Sequence, residues 1–463
     1  MPKTSGSSWC RLVICWLSLL GFCLQPQPAQ SRPQTFQDLK RIADNLVITS
    51  IKYGAIPAIF NPTYIKVQEA DLNMEREEIV FVVMMPDGPH IYPQKIMVWH
   101  QLVNELIDDY AYLVTYCPIT GTLAAYDASM NGLNLLFDNE GRLFDGNSVL
   151  IDRNTGSLWL QELGMAIEGP LMGRGLPMLT VYWTTWGAAS RVFPNAQVLN
   201  APNGRKAYGR DPYGNYLRTG TYYDNDVTIY HMQRLDRRLH KKTPVLCFEL
   251  QGVLLAIDIK YVKRKGAVNF FLGPQALVAM HDTKLDVVRL FDRKVWAEPF
   301  LYVRRNGRIV DIHTRSIWDP ATGTCVEGTM KGASLRQFYG NYSMWMAWSS
   351  MNPETFVIPG PGEVQEKLLS LDPVGAAKDA PQAQDPLNPT NLPFGAQPQQ
   401  SPGAVPANPQ DPLNPANLPF GAQPPQSPGA VPTNPQDPLN PANLPFGAQV
   451  PTTAGERSAT EVR

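Results

Sequence analysis

The sequence predicts a β-rich α+β protein with two related lobes from an internal duplication, followed by a disordered, proline-rich C-terminal tail. Short apolar runs of strand length, such as "EEIVFVVMM" at 77–85, alternate with turn sequences such as "NTG" and "RNG". The octet "DRNTGSLW" at 152–159 returns as "DIHTRSIW" at 311–318. Beyond residue 361 the composition changes, and the last 93 residues hold 21 of the 43 prolines.

The N-terminus predicts export, with residues 1–31 as a signal peptide. Lys3 and Arg11 lie before or at the start of the apolar run at 12–24, and small residues near Ser31 suit cleavage there. The run is shorter than the ~20 residues that span a bilayer, so no transmembrane segment is expected after cleavage. Because bulky Phe22 stands where a lipoprotein box needs a small residue, that box is matched only loosely. The expected location is the periplasm or the extracellular space.

Between residues 32 and 370 the chain carries 35 basic and 34 acidic side chains. A balanced chain has no global field to hold a polyanion, so nucleic acid is not expected as a partner. Cys117, Cys247 and Cys325 remain after signal cleavage. An odd number of cysteines allows at most one disulfide, so ordinary burial must stabilise the core.

Two segments predict helices between the strands. "MVWHQLVNELI" at 97–107 places apolar residues at three- and four-residue spacing, and "TTWGAASRVF" at 184–193 stops at Pro194.

The octet belongs to a longer repeat. At a fixed offset of 159, residues 152–198 match 311–357 at 14 of 47 positions, whereas chance would supply roughly three. This predicts a first lobe over 32–240 and a second lobe over 241–360, which repeats one hairpin-and-helix unit.

The repeated residue types favour structure over chemistry. An Asp and a Thr bracket a tight turn, and the next strand carries Ser and Trp on one face. None of these groups is a strong nucleophile or base in this context. The residues predicted to build the unit twice are Asp152, Thr155, Trp159, Asp311, Thr314 and Trp318.

The tail, residues 361–463, contains a 26-residue unit that starts at Asp385 and recurs at Asp411 and, in part, at Asp437. Such sequence has too little apolar surface to offset chain entropy, so disorder is predicted. The tail is either a solvated spacer or an array that docks a partner through "NLPFGAQ", whose aromatic anchors are Phe394, Phe420 and Phe446.

Several spaced motifs outside the repeat carry a family resemblance. "YGAIPAIFNPTY", "IYPQKIMVWHQLVNE", "VTYCPITGT", "DRNTGSLWLQELGMAIEGPLMG", "TTW" and "YGRDPYGNY" follow one another in order. In this the chain resembles a prokaryotic family catalogued as domain-of-unknown-function 3179. The resemblance implies an exported or envelope-associated β-rich protein and brings no established activity.

The chain departs from that family's pattern at one box. Where the family typically has two cysteines, this chain has Cys117 and Thr120, and Gln101 and Glu105 replace an expected acid pair after His100. Thiolate and imidazole are metal ligands, so His100 and Cys117 are candidates for a metal or thiol site, with His90 as a substitute donor. The alternative is that both are buried packing residues.

The motif "YGRDPYGNY" at 208–216 supplies the other candidates. Arg210 could clamp a carboxylate or phosphate, with Tyr213 and Tyr216 stacked beside it. Alternatively, Arg210 and Asp211 could pair with each other or with backbone carbonyls to pin a loop. The candidate ligand-binding residues are therefore His100, Cys117, Arg210, Asp211 and Tyr213.

Standard nucleophile-elbow, zinc-protease and nucleotide-binding signatures are absent from the sequence. The leading interpretation is a non-catalytic envelope protein that binds a small ligand or another envelope protein, in a groove between the lobes. The alternative is a metal- or thiol-dependent enzyme that uses His100 and Cys117. No cofactor is strongly implied, and a metal at those two residues is the one candidate.

Overall fold

The computed structural model describes residues 36–130, 132–202, 208–209, 211–360 and 363. The predicted signal peptide, Arg210 and all of the tail except Glu363 lie outside the described residues. Within them, strands far outnumber helices, which confirms the predicted β-rich α+β class.

The helices are short, and in chain order they are α1 (Phe36–Asp44), α2 (Val67–Ala70), α3 (Gln94–His100), α4 (Trp186–Val192), α5 (Ile259–Lys265) and α6 (Trp345–Met351).

The strands up to residue 200 are β1 (Val47–Ile48), β2 (Ile59–Phe60), β3 (Tyr64–Lys66), β4 (Ile79–Met85), β5 (Gly88–Pro93), β6 (Leu102–Ile107), β7 (Tyr110–Cys117), β8 (Thr122–Asp127), β9 (Ser129–Met130), β10 (Leu133–Asn134), β11 (Phe137–Phe144), β12 (Asn147–Asp152), β13 (Leu158–Leu160), β14 (Met165–Glu168), β15 (Val181–Thr185) and β16 (Gln197–Leu199).

The later strands are β17 (Pro244–Leu250), β18 (Val253–Asp258), β19 (Ala267–Leu272), β20 (Gln275–Asp282), β21 (Val287–Asp292), β22 (Lys294–Val295), β23 (Glu298–Pro299), β24 (Tyr302–Arg305), β25 (Arg308–Asp311), β26 (Ile317–Asp319), β27 (Thr324–Glu327), β28 (Gln337–Phe338), β29 (Asn341–Met344) and β30 (Phe356–Ile358).

The two halves of the chain follow the same strand order. The first half forms β15-β4-β5-β16, and the second forms β29-β17-β18-β30. In each, the two middle strands are an antiparallel hairpin, and the last strand runs parallel to its neighbour. A seven-residue helix follows each hairpin, as α3 or α5, and another follows the outer strand, as α4 or α6.

The halves share one sheet. Strands β6, β7 and β8 of the first half continue into β29 through the pair Leu123 and Tyr342, giving the eight-stranded order β2-β6-β7-β8-β29-β17-β18-β30. At a second junction, the Arg289 guanidinium of β21 donates to the Tyr182 hydroxyl of β15 at 2.6 Å. The segment 200–243 between the halves has no helix or strand among its described residues.

The two octets make equivalent hydrogen bonds. The Asp152 carboxylate accepts from the Thr155 backbone N–H at 2.6 Å and from Trp159 Nε1 at 2.9 Å. The Asp311 carboxylate accepts from the Thr314 N–H and from Trp318 Nε1 at the same two distances. Each buried indole also packs edge-on against a ring, Phe137 for Trp159 and Tyr302 for Trp318.

The helix predicted over 97–107 is wrong in its second half. Helix α3 ends at His100, Gln101 adopts a left-handed φ of 63°, and the chain continues as β6. Leu102 and Val103 are both buried in β6, so two apolar residues stand side by side without the alternation of a half-buried strand, and this imitates a helical spacing. The helix predicted before Pro194 is confirmed as α4.

No helix within the described part of the chain is both long and apolar enough to cross a membrane.

Candidate ligand-binding site

The larger of the two described cavities has a volume of about 770 Å³. Helix α3 contributes Gln94 and Lys95 to its wall, β16 contributes Val198 and Leu199, and the segment after β16 contributes Tyr208, Asp211 and Tyr216, among others. All of the lining residues fall between Ile65 and Thr221. The cavity therefore lies in the first half and the segment that follows it, rather than in the expected groove between two lobes.

Asp211 anchors the loop at 208–216 to helix α3. One carboxylate oxygen accepts from Gln94 Nε2 at 2.7 Å and from the Tyr223 hydroxyl at 2.9 Å. The other accepts from the backbone N–H of Tyr213 at 2.8 Å. Burial raises the pKa of Asp211, while these donors oppose the rise. Asp211 thus fits the loop-pinning alternative, with Gln94 and Tyr223 as partners.

A cluster of aromatic rings supports the cavity wall behind Tyr216. The rings of Tyr216 and Tyr223 stack with centroids 3.6 Å apart, and Trp183 packs edge-on against Tyr216 at 5.1 Å. The hydroxyls of Tyr116 and Tyr216 are 2.8 Å apart. Burial raises the pKa of Tyr216 well above its usual value, so the hydroxyl stays protonated and can take part in hydrogen bonding.

His100 lies one hydrogen bond behind the cavity wall. Its Nδ1 donates to the Pro57 carbonyl at 2.8 Å, so the neutral ring accepts at Nε2 from the Tyr208 hydroxyl at 2.9 Å. Burial lowers the pKa of His100, which keeps the imidazole neutral at pH 7. His100 therefore positions Tyr208, which lines the cavity.

Cys117 is fully buried at the end of β7, and its thiol faces the Gly146 carbonyl at 3.7 Å. Cys117, Cys247 and Cys325 are all free thiols. No group of three or more His, Cys, Asp or Glu side chains among the described residues could hold a metal ion. His90, the substitute donor, instead lies 3.0 Å from the Asp87 carboxylate. Tyr213 lines the smaller cavity instead of the larger one.

Sequence reasoning missed Gln94 and noted Glu105 only as a departure from a family pattern. The Glu105 carboxylate, inside β6, accepts from the Tyr92 hydroxyl at 2.7 Å and from the Tyr64 hydroxyl. Burial raises the pKa of Glu105. A lone acid within the apolar run at 102–107 was the available signal for this buried site. Gln94 carried no such signal, because its partner Asp211 is 117 residues away.

The model of the family described as "Protein of unknown function (DUF3179)" matches residues 53–366. The chain belongs to the DUF3179 family. This confirms the resemblance carried by the motifs, and in this DUF3179 member the cavity, Asp211 and Tyr208 all lie inside the matched range. The chain matches no curated protein and no solved structure.

Proposed function

We propose that this DUF3179 protein is exported and binds a small organic molecule in the 770 Å³ cavity, without catalysing a reaction on it. The observation that carries the proposal is the size and walls of that cavity. Small-molecule sites commonly measure ~300–1,000 Å³ and combine apolar walls with a few fixed polar groups. The apolar walls here are Val198, Leu199 and the Tyr216 ring. The fixed polar groups are the Tyr208 hydroxyl and Gln94.

The described walls favour a ligand with a cationic or hydrogen-bond-donating group. Among the described residues, five acidic side chains line the cavity against two basic ones, Lys95 and Arg218. Lys95 already pairs with Glu78 at 2.7 Å, so its charge is largely offset. An excess of carboxylates attracts cations and repels anions, most strongly at low ionic strength. The acidic lining residues are Glu69, Glu75, Glu77, Glu78 and Asp211.

The sequence supports two further parts of the proposal. The basic and apolar pattern over residues 1–31 supports export to the periplasm or the extracellular space. An internal duplication is supported by the 14 matches in 47 positions and by the equal strand orders of the two halves. The duplicated unit would then be a scaffold, because the cavity draws only on one copy and the segment after it.

Ligand binding can be tested by a thermal-shift screen with three matched sets of small amines, neutral amides and carboxylates. We expect hits among the amines or amides, with Kd values that rise with added salt for the amines. Leu217→Trp, in the cavity wall at 59% exposure, is expected to weaken binding about tenfold or more by filling space. Leu235→Trp is the matched control, because Leu235 is 51% exposed and lies outside the cavity lining.

Two outcomes would contradict this proposal. Equal loss of binding in both tryptophan variants would place the ligand elsewhere. Binding confined to the carboxylates would show that the walls select for negative charge, and the expected charge preference would then be wrong.

The alternative, a metal- or thiol-dependent enzyme, has a separate test on Cys117. We expect the thiols of Cys117, Cys247 and Cys325 to resist alkylation in the native protein, because all three are buried, and to react fully only after unfolding. Leu72→Cys, at a position with 83% exposure, is the positive control for the reagent. Rapid alkylation of Cys117 in the native protein, or a stoichiometric metal in its mass spectrum, would favour the enzyme instead.

A further inference from the structure

A strained hairpin presents an exposed tryptophan. Strands β22 and β23 are joined by Trp296 and Ala297, whose φ angles are 47° and 75°. A two-residue turn with both central residues left-handed normally holds Asn-Gly, and a bulky L-residue there costs about 1 kcal/mol. Trp296 is nonetheless 81% exposed. Neither the turn geometry nor burial accounts for a tryptophan here. A large aromatic side chain that is exposed on a strained turn is typical of a residue that contacts a binding partner.

Further part-exposed aromatic rings lie around Arg293, the residue directly before this hairpin. The Arg293 guanidinium lies 4.6 Å over the ring of Phe271 and donates to the Phe300 carbonyl at 2.9 Å. The Phe300 ring stacks on His313 with centroids 4.9 Å apart. Together Phe271, Trp296, Phe300 and His313 are called here the aromatic surface.

The proline-rich tail starts beside β19, the strand that carries Phe271. Glu363 forms a backbone bridge with Phe270, the residue before Phe271, and accepts from the Tyr261 hydroxyl at 2.6 Å. The first repeat begins 22 positions later, at Asp385. A chain of that length can span up to about 70 Å, which brings every face of a domain this size within reach.

The repeats have the chemistry that such a surface binds. Each contains "NLPFGAQ", with one phenylalanine among prolines. Proline-rich segments dock on exposed aromatic rings because the pyrrolidine rings lie flat against them and the extended backbone loses little entropy on binding. Covalent attachment makes the encounter intramolecular, with an effective concentration in the millimolar range, so a weak contact suffices.

We propose that the aromatic surface binds a repeat of this chain's own tail, through the prolines and through Phe394, Phe420 or Phe446 in turn. Three copies of one motif facing one surface raise the bound fraction without any tight individual contact. The tail then covers the only strongly exposed tryptophan of the described residues while remaining exchangeable. Its docking partner is thus the folded part of the same molecule.

The test is photo-cross-linking in the full chain. Trp296→p-benzoylphenylalanine is irradiated at low protein concentration, and the adducts are mapped by mass spectrometry. Leu72→p-benzoylphenylalanine is the matched control, since Leu72 has almost the same exposure on the first half of the chain. We expect adducts from position 296 within residues 385–450 at about tenfold the yield from position 72. Replacing Phe394, Phe420 and Phe446 together by Ala is expected to lower that yield severalfold.

Equal tail yields from positions 296 and 72 would overturn the proposal, because they would reflect random encounter. Adducts that join two chains would also overturn it, in favour of a repeat from a second copy. A yield unchanged by the three Phe→Ala substitutions would remove the phenylalanines as anchors. Since the side chains at positions 296 and 72 are both strongly exposed, neither substitution disturbs the core.

Discussion

Glu162→Gln is expected to flatten the dependence of the free energy of unfolding on pH. The change that the substitution causes in this free energy should be about 4 kcal/mol more favourable at pH 8 than at pH 4. Glu162 is 1% exposed, and neither of its carboxylate oxygens has a hydrogen-bond partner among the described residues. Burial raises its pKa to about 8, and the nearby Ser343 side chain opposes that rise only in part.

The sign follows from proton binding. Between the ordinary glutamate value near 4.5 and about 8, the folded state holds a proton that the unfolded state has released. Stability from Glu162 is therefore fully present below pH 4.5 and is lost as pH rises to about 8. A glutamine has no proton to lose, so its own burial cost is the same at every pH.

Urea unfolding from pH 4 to pH 9 measures the effect. Glu168→Gln is the control, because Glu168 is exposed in the neighbouring strand β14 and its change should leave the pH profile parallel to that of the natural protein. Parallel profiles for Glu162→Gln as well would mean that this carboxyl is hydrated or paired. Burial of the Cys247 thiol raises its pKa, and the Glu162 charge raises it further, so the thiol should stay protonated over this range.

Asp152→Ala and Asp311→Ala are each expected to lower the free energy of unfolding by about 3 kcal/mol or more. Both carboxylates are fully buried, and each accepts a backbone N–H, a threonine hydroxyl and an indole N–H. Removing the acceptor leaves the buried indole N–H and the backbone N–H of the turn without partners, which costs more than the bonds themselves contribute.

The comparison between the two sites is the sharper measurement. Because the hydrogen bonds of Asp152 and Asp311 are equivalent, chemical denaturation should give losses within about 1 kcal/mol of each other. Thr155→Val and Thr314→Val remove only the hydroxyl and should cost about 1 kcal/mol each. A large loss at one aspartate and none at the other would show that the octets do not do the same structural work.

Local sequence was sufficient where the decisive contacts are close in the chain. In the octet, the aspartate, threonine and tryptophan lie within seven residues, so the pattern alone predicted the tight turn that both copies adopt. The turn-bounded apolar runs likewise predicted the strands. The apolar pattern predicted a helix over 97–107 and was wrong from residue 102 onward, because burial on both sides of β6 removed the alternation that marks a strand.

The sequence by itself determined the β-rich class, the family, the two tryptophan turns and the loop at 208–216 as a feature of interest, because each rests on neighbouring residues. Only the tertiary structure decided that β8 joins β29, that Asp211 bonds Gln94, and that His100 and Cys117 are closed off from the cavity that Tyr208 lines. Such pairings join residues about a hundred or more positions apart. Their partners are selected by packing and burial across the whole fold, which no local pattern encodes.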